Sequence, residues 1–134
     1  MFTYSDTLRT ARADLLATAI DSGSAGPATL TIYTGPRPAP GAAVTSQVLL
    51  VAMQFTHPCA QSVTGGVLTL KPLAEKMVTG NGVQAWGRLA NRDGVFIADL
   101  DVGPPGSGDD IEIPANELYA GAMVRINNAT FTEP

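Results

Sequence analysis

From Ser5 to Ile20 the apolar positions Leu8, Ala11, Leu15, Leu16, Ala19 and Ile20 recur at helical spacing, not in alternation. The pattern predicts one helix over about residues 5–22, opened by Ser5 or Asp6 as amide acceptors and closed at Gly23. After Pro27 the period changes to two. Thr29-Leu30-Thr31-Ile32-Tyr33-Thr34 sets Leu30 and Ile32 on one face and Thr31 and Tyr33 on the other, as a half-buried strand does. Further strands are expected at Val48–Phe55, Gly66–Leu70, Val83–Leu89, Val95–Val102, Ile111–Ile113 and Met123–Phe131, the last with a break at Asn127-Asn128. Between them lie turn residues: Gly65-Gly66, Asn81-Gly82, Asp93-Gly94 and Gly103-Pro104-Pro105-Gly106. Asn91-Arg92-Asp93-Gly94, set between two alternating runs, is the strongest hairpin signal and ties Val83–Ala90 to Val95–Asp101. Gly35 to Gly41 holds three prolines, which cannot join a strand ladder and favour extended polyproline geometry.

Seven or eight short strands after a lone helix predict a mainly β, two-sheet β-sandwich over residues 1–134. The spacing fits jelly-roll and immunoglobulin-like connections alike, and the expectation adopted is a jelly-roll-like sandwich. Its 134 residues suffice to bury roughly two-thirds of the unfolded surface, so the core needs neither disulfide nor metal. With 12 acidic against 8 basic side chains the net charge is −4, and the cations pair only as Arg9 with Arg12 and Arg88 with Arg92. Nucleic-acid binding, which draws on a concentrated basic face, is therefore not expected. The longest apolar run, Val48 to Met53, is too short to span a bilayer, and charges among the first fifteen residues interrupt any secretory leader. A soluble protein assembled in a reducing compartment is expected.

One histidine, His57, excludes schemes that need two imidazoles, including the several-histidine metal site of cupin-type jelly rolls. Cys59, the single cysteine, flanks Pro58 opposite His57, but no motif supplies an oxyanion hole or a third group to orient the base. The expected reading is a loop histidine and a packed cysteine. Asp99, Asp101, Asp109, Asp110 and Glu112 lack the spacing of a calcium loop and read as a solvated acidic rim. The Gly103–Gly108 stretch resembles a phosphate cradle, yet two prolines remove amides and Asp109-Asp110 would repel an anion, so an exposed turn is expected. Trp86 lies on the mixed face with Gln84, Arg88 and Ala90, where a partner surface would cover it, since Val83, Ala85, Gly87 and Leu89 form the apolar face. No cofactor is expected.

Several segments in this order, Leu8-Arg9-x-x-Arg12-x-x-x-Leu16, Leu30-x-Ile32-Tyr33-Thr34-Gly35-x-Arg37-Pro38, Gly65-Gly66-Val67-Leu68-Thr69-Leu70, Ala85-Trp86-Gly87-Arg88 and Asp99-Leu100-Asp101-Val102-Gly103, carry a resemblance. The chain resembles small structural proteins of tailed bacteriophages and prophages, most of all jelly-roll capsid cement, or head decoration, proteins. The resemblance implies no catalytic residues. It implies a virion protein on the capsid surface, assembled in the bacterial cytoplasm, whose partners are the major capsid protein and further copies of itself. Leu15, Leu16, Pro36, Arg37, Pro38, Trp86, Pro104 and Pro105 are the expected contact residues. A phage tail component and a glycan-binding sandwich, stacking sugars on Trp86, Tyr33 or Tyr119, are the competing expectations.

Overall fold

The computed structural model describes residues 2–134. Helix α1 spans Asp6–Asp21; Ser5 Oγ accepts from the Leu8 amide at 3.2 Å, and the Ser22 amide closes on Ala19 O at 3.3 Å. Ten strands follow: β1 Thr29–Thr34, β2 Leu49–Gln54, β3 Ala60–Thr64, β4 Val67–Leu70, β5 Leu73–Met77, β6 Gln84–Ala90, β7 Phe96–Gly103, β8 Ile111–Glu112, β9 Met123–Ile126 and β10 Thr130–Thr132. They form a five-stranded sheet in the order β2-β1-β6-β7-β8, a three-stranded sheet β10-β4-β3 and a two-stranded ribbon β5-β9. All pairs are antiparallel except β7 with β8. The fold is thus a mainly β sandwich with one N-terminal helix, as the periodicity predicts. The layer opposite the long sheet is divided between two smaller sheets.

One apolar core joins all three sheets and the helix, through Leu30 and Ile32 of β1, Leu50 and Met53 of β2, Leu68 and Leu70 of β4, Leu89 of β6 and Val124 and Ile126 of β9. Every strand that contributes a clear alternation was visible in the sequence. Two strands, β3 and β5, were not. β3 (Ala-Gln-Ser-Val-Thr) buries nothing fully and β5 buries only Leu73, so neither carries an apolar period, and each exists because a patterned neighbour offers it a ladder.

The helix docks by only part of the expected stripe, the side that holds Leu16 and Ile20, and adds Ala13 and Ala17 to it. Ala13, Ala17 and Ile20 are buried and Leu16 is partly covered, whereas Leu8 is half exposed and Leu15 is 69% exposed. Close approach explains the choice: Arg9 lies so near the backbone at Gly66 that a Cβ there would fall 2.8 Å from the Arg9 Cβ, and Thr10 Oγ1 accepts from the Gly66 amide at 3.0 Å. Alanines on the docking face let the helix sit this low over β3 and β4. Further ties cross the chain. Arg9 Nε donates to Glu133 O at 3.0 Å, Arg12 pairs with the Glu133 carboxylate at 3.2 Å, and the Glu133 amide donates to Gly66 O at 2.9 Å.

The β6–β7 hairpin has the expected turn, with Asn91 Oδ1 accepting from the amides of Asp93 and Val95. Its tip also grips the segment after the helix. Asp93 Oδ1 accepts from the Ser24 and Ala25 amides at 3.0 and 3.1 Å, and Arg92 donates to Gly23 O and Gly26 O. Among the described residues no helix is long and apolar enough to cross a membrane.

Candidate interaction surface

Thr34, Leu49 and Gln84 lie at one end of the long sheet, and the chain returns there repeatedly: β2 begins, β5 ends, β6 begins and β9 begins. Backbone bonds lock these returns together. The Thr79 amide donates to Leu50 O at 2.8 Å, Gly82 and Leu118 exchange bonds at 2.9 Å, and the Ala120 amide reaches Asn81 Oδ1 at 2.9 Å. Six large apolar side chains crowd this end, Val48, Leu49, Met77, Val83, Tyr119 and Met123, and each is between 42% and 57% exposed. The topology thus gathers these half-exposed apolar groups at one end of the molecule. The sequence did not reveal it, because the six positions are spread from 48 to 123 and only the topology gathers them.

A second apolar surface lies on the helix. Leu8 and Leu15, two turns apart, face outward on the side away from Ala13 and Ala17. Phe2, ahead of the helix, is exposed and packed edge-on to Tyr4, which in turn lies under the Arg12 guanidinium at 4.8 Å. Leu16, between the two faces, lines an open groove of about 190 Å³ with Leu89, Ala98, Leu100 and Phe131. Of the two leucines expected as contacts, Leu15 is therefore available to a partner and Leu16 is largely taken up by its own core.

Contrary to what its face of the strand suggests, Trp86 is not placed where a partner would cover it. It does lie on the mixed face, but it is 0% exposed and its cover comes from its own chain, leaving no surface for a partner. Its cross-strand neighbour Tyr33 stacks on it at 4.7 Å, Nε1 donates to Thr34 O at 2.9 Å, and the Arg88 guanidinium lies over the ring at 5.2 Å. Arg88 also covers Phe96 and makes a two-pronged bond to Asp99 at 2.7 and 2.9 Å. Asp99 consequently leaves the solvated rim it was expected to join: its side chain is 3% exposed. Burial by itself would raise its pKa, but the Arg88 and Gly41 hydrogen bonds and the nearby guanidinium charges outweigh that and hold the carboxyl below its ordinary value.

The proline segment is a strap fastened over this cluster. Arg37 pairs with Asp101 at 3.2 Å, the Gly41 amide donates to Asp99 at 3.1 Å, and Gln47 Nε2 donates to Pro36 O at 2.6 Å. Pro36 and Arg37 are exposed and Pro38 is half-buried, so the strap presents an outer edge while its body is committed to its own sheet. The Pro104–Gly108 turn, with Pro104 half-buried and Pro105 exposed, does cradle an anion after all. The anion is internal: Glu112 accepts from the Gly106 and Gly108 amides at 2.9 and 3.1 Å, both glycines having positive φ. Asp110 accepts from the Asp101 amide at 3.0 Å.

His57 and Cys59 do not form a dyad. Cys59 is fully buried with Sγ 3.7 Å from Ala17 O, while His57 is exposed and faces Asp21 at 3.6 Å. Burial, reinforced by the Asp21 charge and hydrogen bond, pushes the Cys59 thiol up to about 12, the opposite of an activated nucleophile. Among the described residues no three His, Cys, Asp or Glu side chains converge on a point that would hold a metal ion. Comparison of the chain with protein-family models, curated proteins and solved structures finds no match.

Proposed function

We propose that this protein is a non-enzymatic structural component of a bacteriophage particle, a capsid cement protein that binds the major capsid lattice and stabilises the head. The observation that supports it best is the pairing of two separate apolar surfaces on one heavily cross-braced body: the end gathered from Val48, Leu49, Met77, Val83, Tyr119 and Met123, and the outer helix face of Leu8 and Leu15. A lattice protein needs at least two contacts, so that many weak attachments add up across the shell. The resemblance to small virion proteins supplies the context in which such a body would work. Internal fastening of the strap and of the 104–108 turn favours a rigid block over one that reaches out with free arms.

Glycan binding is the weaker reading here, since Trp86, the best stacking platform, is sealed under Tyr33 and Arg88. The test compares particles assembled with and without the protein, imaged for its position and assayed for DNA retention on heating. Density on the head surface with loss of heat resistance in its absence is the expected result. Density confined to the tail, or unchanged heat resistance, would reject the cement role.

A further inference from the structure

We propose that the outward face of the β5–β9 ribbon is where a second copy of this chain docks across a two-fold axis, a choice of partner that rests on the assembly role proposed above. In β9 the residues alternate, with Met123 and Arg125 outward and Val124 and Ile126 buried. Met77 is paired directly with Met123, so the two half-exposed methionines share that outward face, and Glu75, whose carboxylate lies 3.9 Å from Arg125, joins it across the local irregularity in β5. Methionine surfaces adapt to an opposing surface without exact fit.

Charge selects the occupant. The ribbon carries the opposite charges Glu75 and Arg125, with the exposed Lys76 beside them, while the chain as a whole has a net charge of −4. An identical chain approaching across a two-fold axis sets these opposite charges against one another. The two charges are also held loosely, 3.9 Å apart with side chains 48% and 58% exposed, leaving each with hydrogen-bonding capacity to spare. A two-fold contact is isologous: if Glu75 of one copy faces Arg125 of the other, the reverse contact forms as well. The methionine pairs then meet between two ion pairs.

Sedimentation equilibrium of the purified full chain tests this. The expected species at roughly micromolar to submillimolar concentration has twice the 13.8 kDa mass of the chain. Glu75→Arg and Arg125→Glu, each alone, set like charges across the axis and should weaken self-association by about tenfold or more. Mixing the two variants should restore dimers, because the introduced arginine then meets the introduced glutamate and the native pair meets across the other contact. Met77→Asp with Met123→Asp should abolish dimers with no such rescue, and circular dichroism checks that every variant remains folded. A monomeric wild-type chain overturns the proposal, as does a dimer indifferent to the reversals or a loss that mixing fails to restore. Capsid attachment is scored separately, on particles, so a monomeric chain that still decorates heads would remove the dimer and leave the cement role standing.

Discussion

Burial and the Asp21 carboxylate act on Cys59 in the same direction, and the thiol stays protonated in the folded chain to about pH 12. The unfolded thiol ionises near its ordinary 9.0. Between these values the unfolded state binds fewer protons than the folded one, so this residue's contribution is complete below pH 9 and is lost as the pH rises towards 12. Two outcomes are expected: a thiol reagent at pH 8 labels the native protein far more slowly than the urea-unfolded chain, and Cys59→Ala flattens the alkaline fall of the unfolding free energy. Equal labelling rates would contradict the buried placement. That a lone cysteine without a base would pack as a small hydrophobe was legible from the sequence. The sealing of Trp86 was not, since it depends on Tyr33 lying opposite in the register and on a strap whose proline composition suggested reach, not cover.

At the scale of elements, α1 shows how a correct period can point the wrong way. Leucines at 8 and 15 and alanines at 13 and 17 lie on opposed sides of one helix with Leu16 between them, and periodicity alone favours the larger side chains as the buried ones. The floor beneath the helix, crowded by Arg9 against Gly66, accepts the smaller ones. Ile20→Ala should therefore cost about 2–4 kcal/mol in denaturant unfolding, whereas Leu15→Ala should cost about 0.5 kcal/mol or less; a reversed order would put the leucine face in the core. The sheet and its strap hold a second testable pair. Arg88→Ala leaves the Asp99 carboxylate buried without its main partner and should cost on the order of 3 kcal/mol, while replacing both residues with leucine should cost less than Arg88→Ala alone. Because the folded Asp99 pKa is depressed, its contribution is present above the ordinary 3.8 and lost as the pH falls below it. Asp99→Asn should therefore reduce the acid sensitivity of unfolding, measured from pH 5 downwards.

Across the whole molecule, local pattern is enough for a helix, for most strands and for the Asn91–Gly94 hairpin, because each is written within one short continuous stretch. The candidate surface is written in no such window: Leu49, Met77, Val83 and Met123 become neighbours only once β2, β5, β6 and β9 are in place. The same dependence on distant partners governs the order in which the chain can become ordered. The helix is the first element from the N-terminus, yet its anchors lie at Gly66, 56 residues beyond Thr10, and at Glu133, 124 residues beyond Arg9, while the segment after it is held by the hairpin tip at Asp93, 69 residues beyond Ser24. A lone sixteen-residue helix with no such anchors is marginal in water. Its docking must wait for strands far along the chain, which places folding among the slower, non-local cases, on the order of milliseconds to seconds. Until then Ala13, Ala17 and Ile20 stand open alongside Leu8 and Leu15, so the nascent chain carries apolar residues on two sides of one helix. The contacts of Arg9 and Arg12 with Glu133 and of Thr10 with Gly66 thus bear on exposure as well as on stability: in the docked helix one of those two sides is covered and only the outward face is left in solvent.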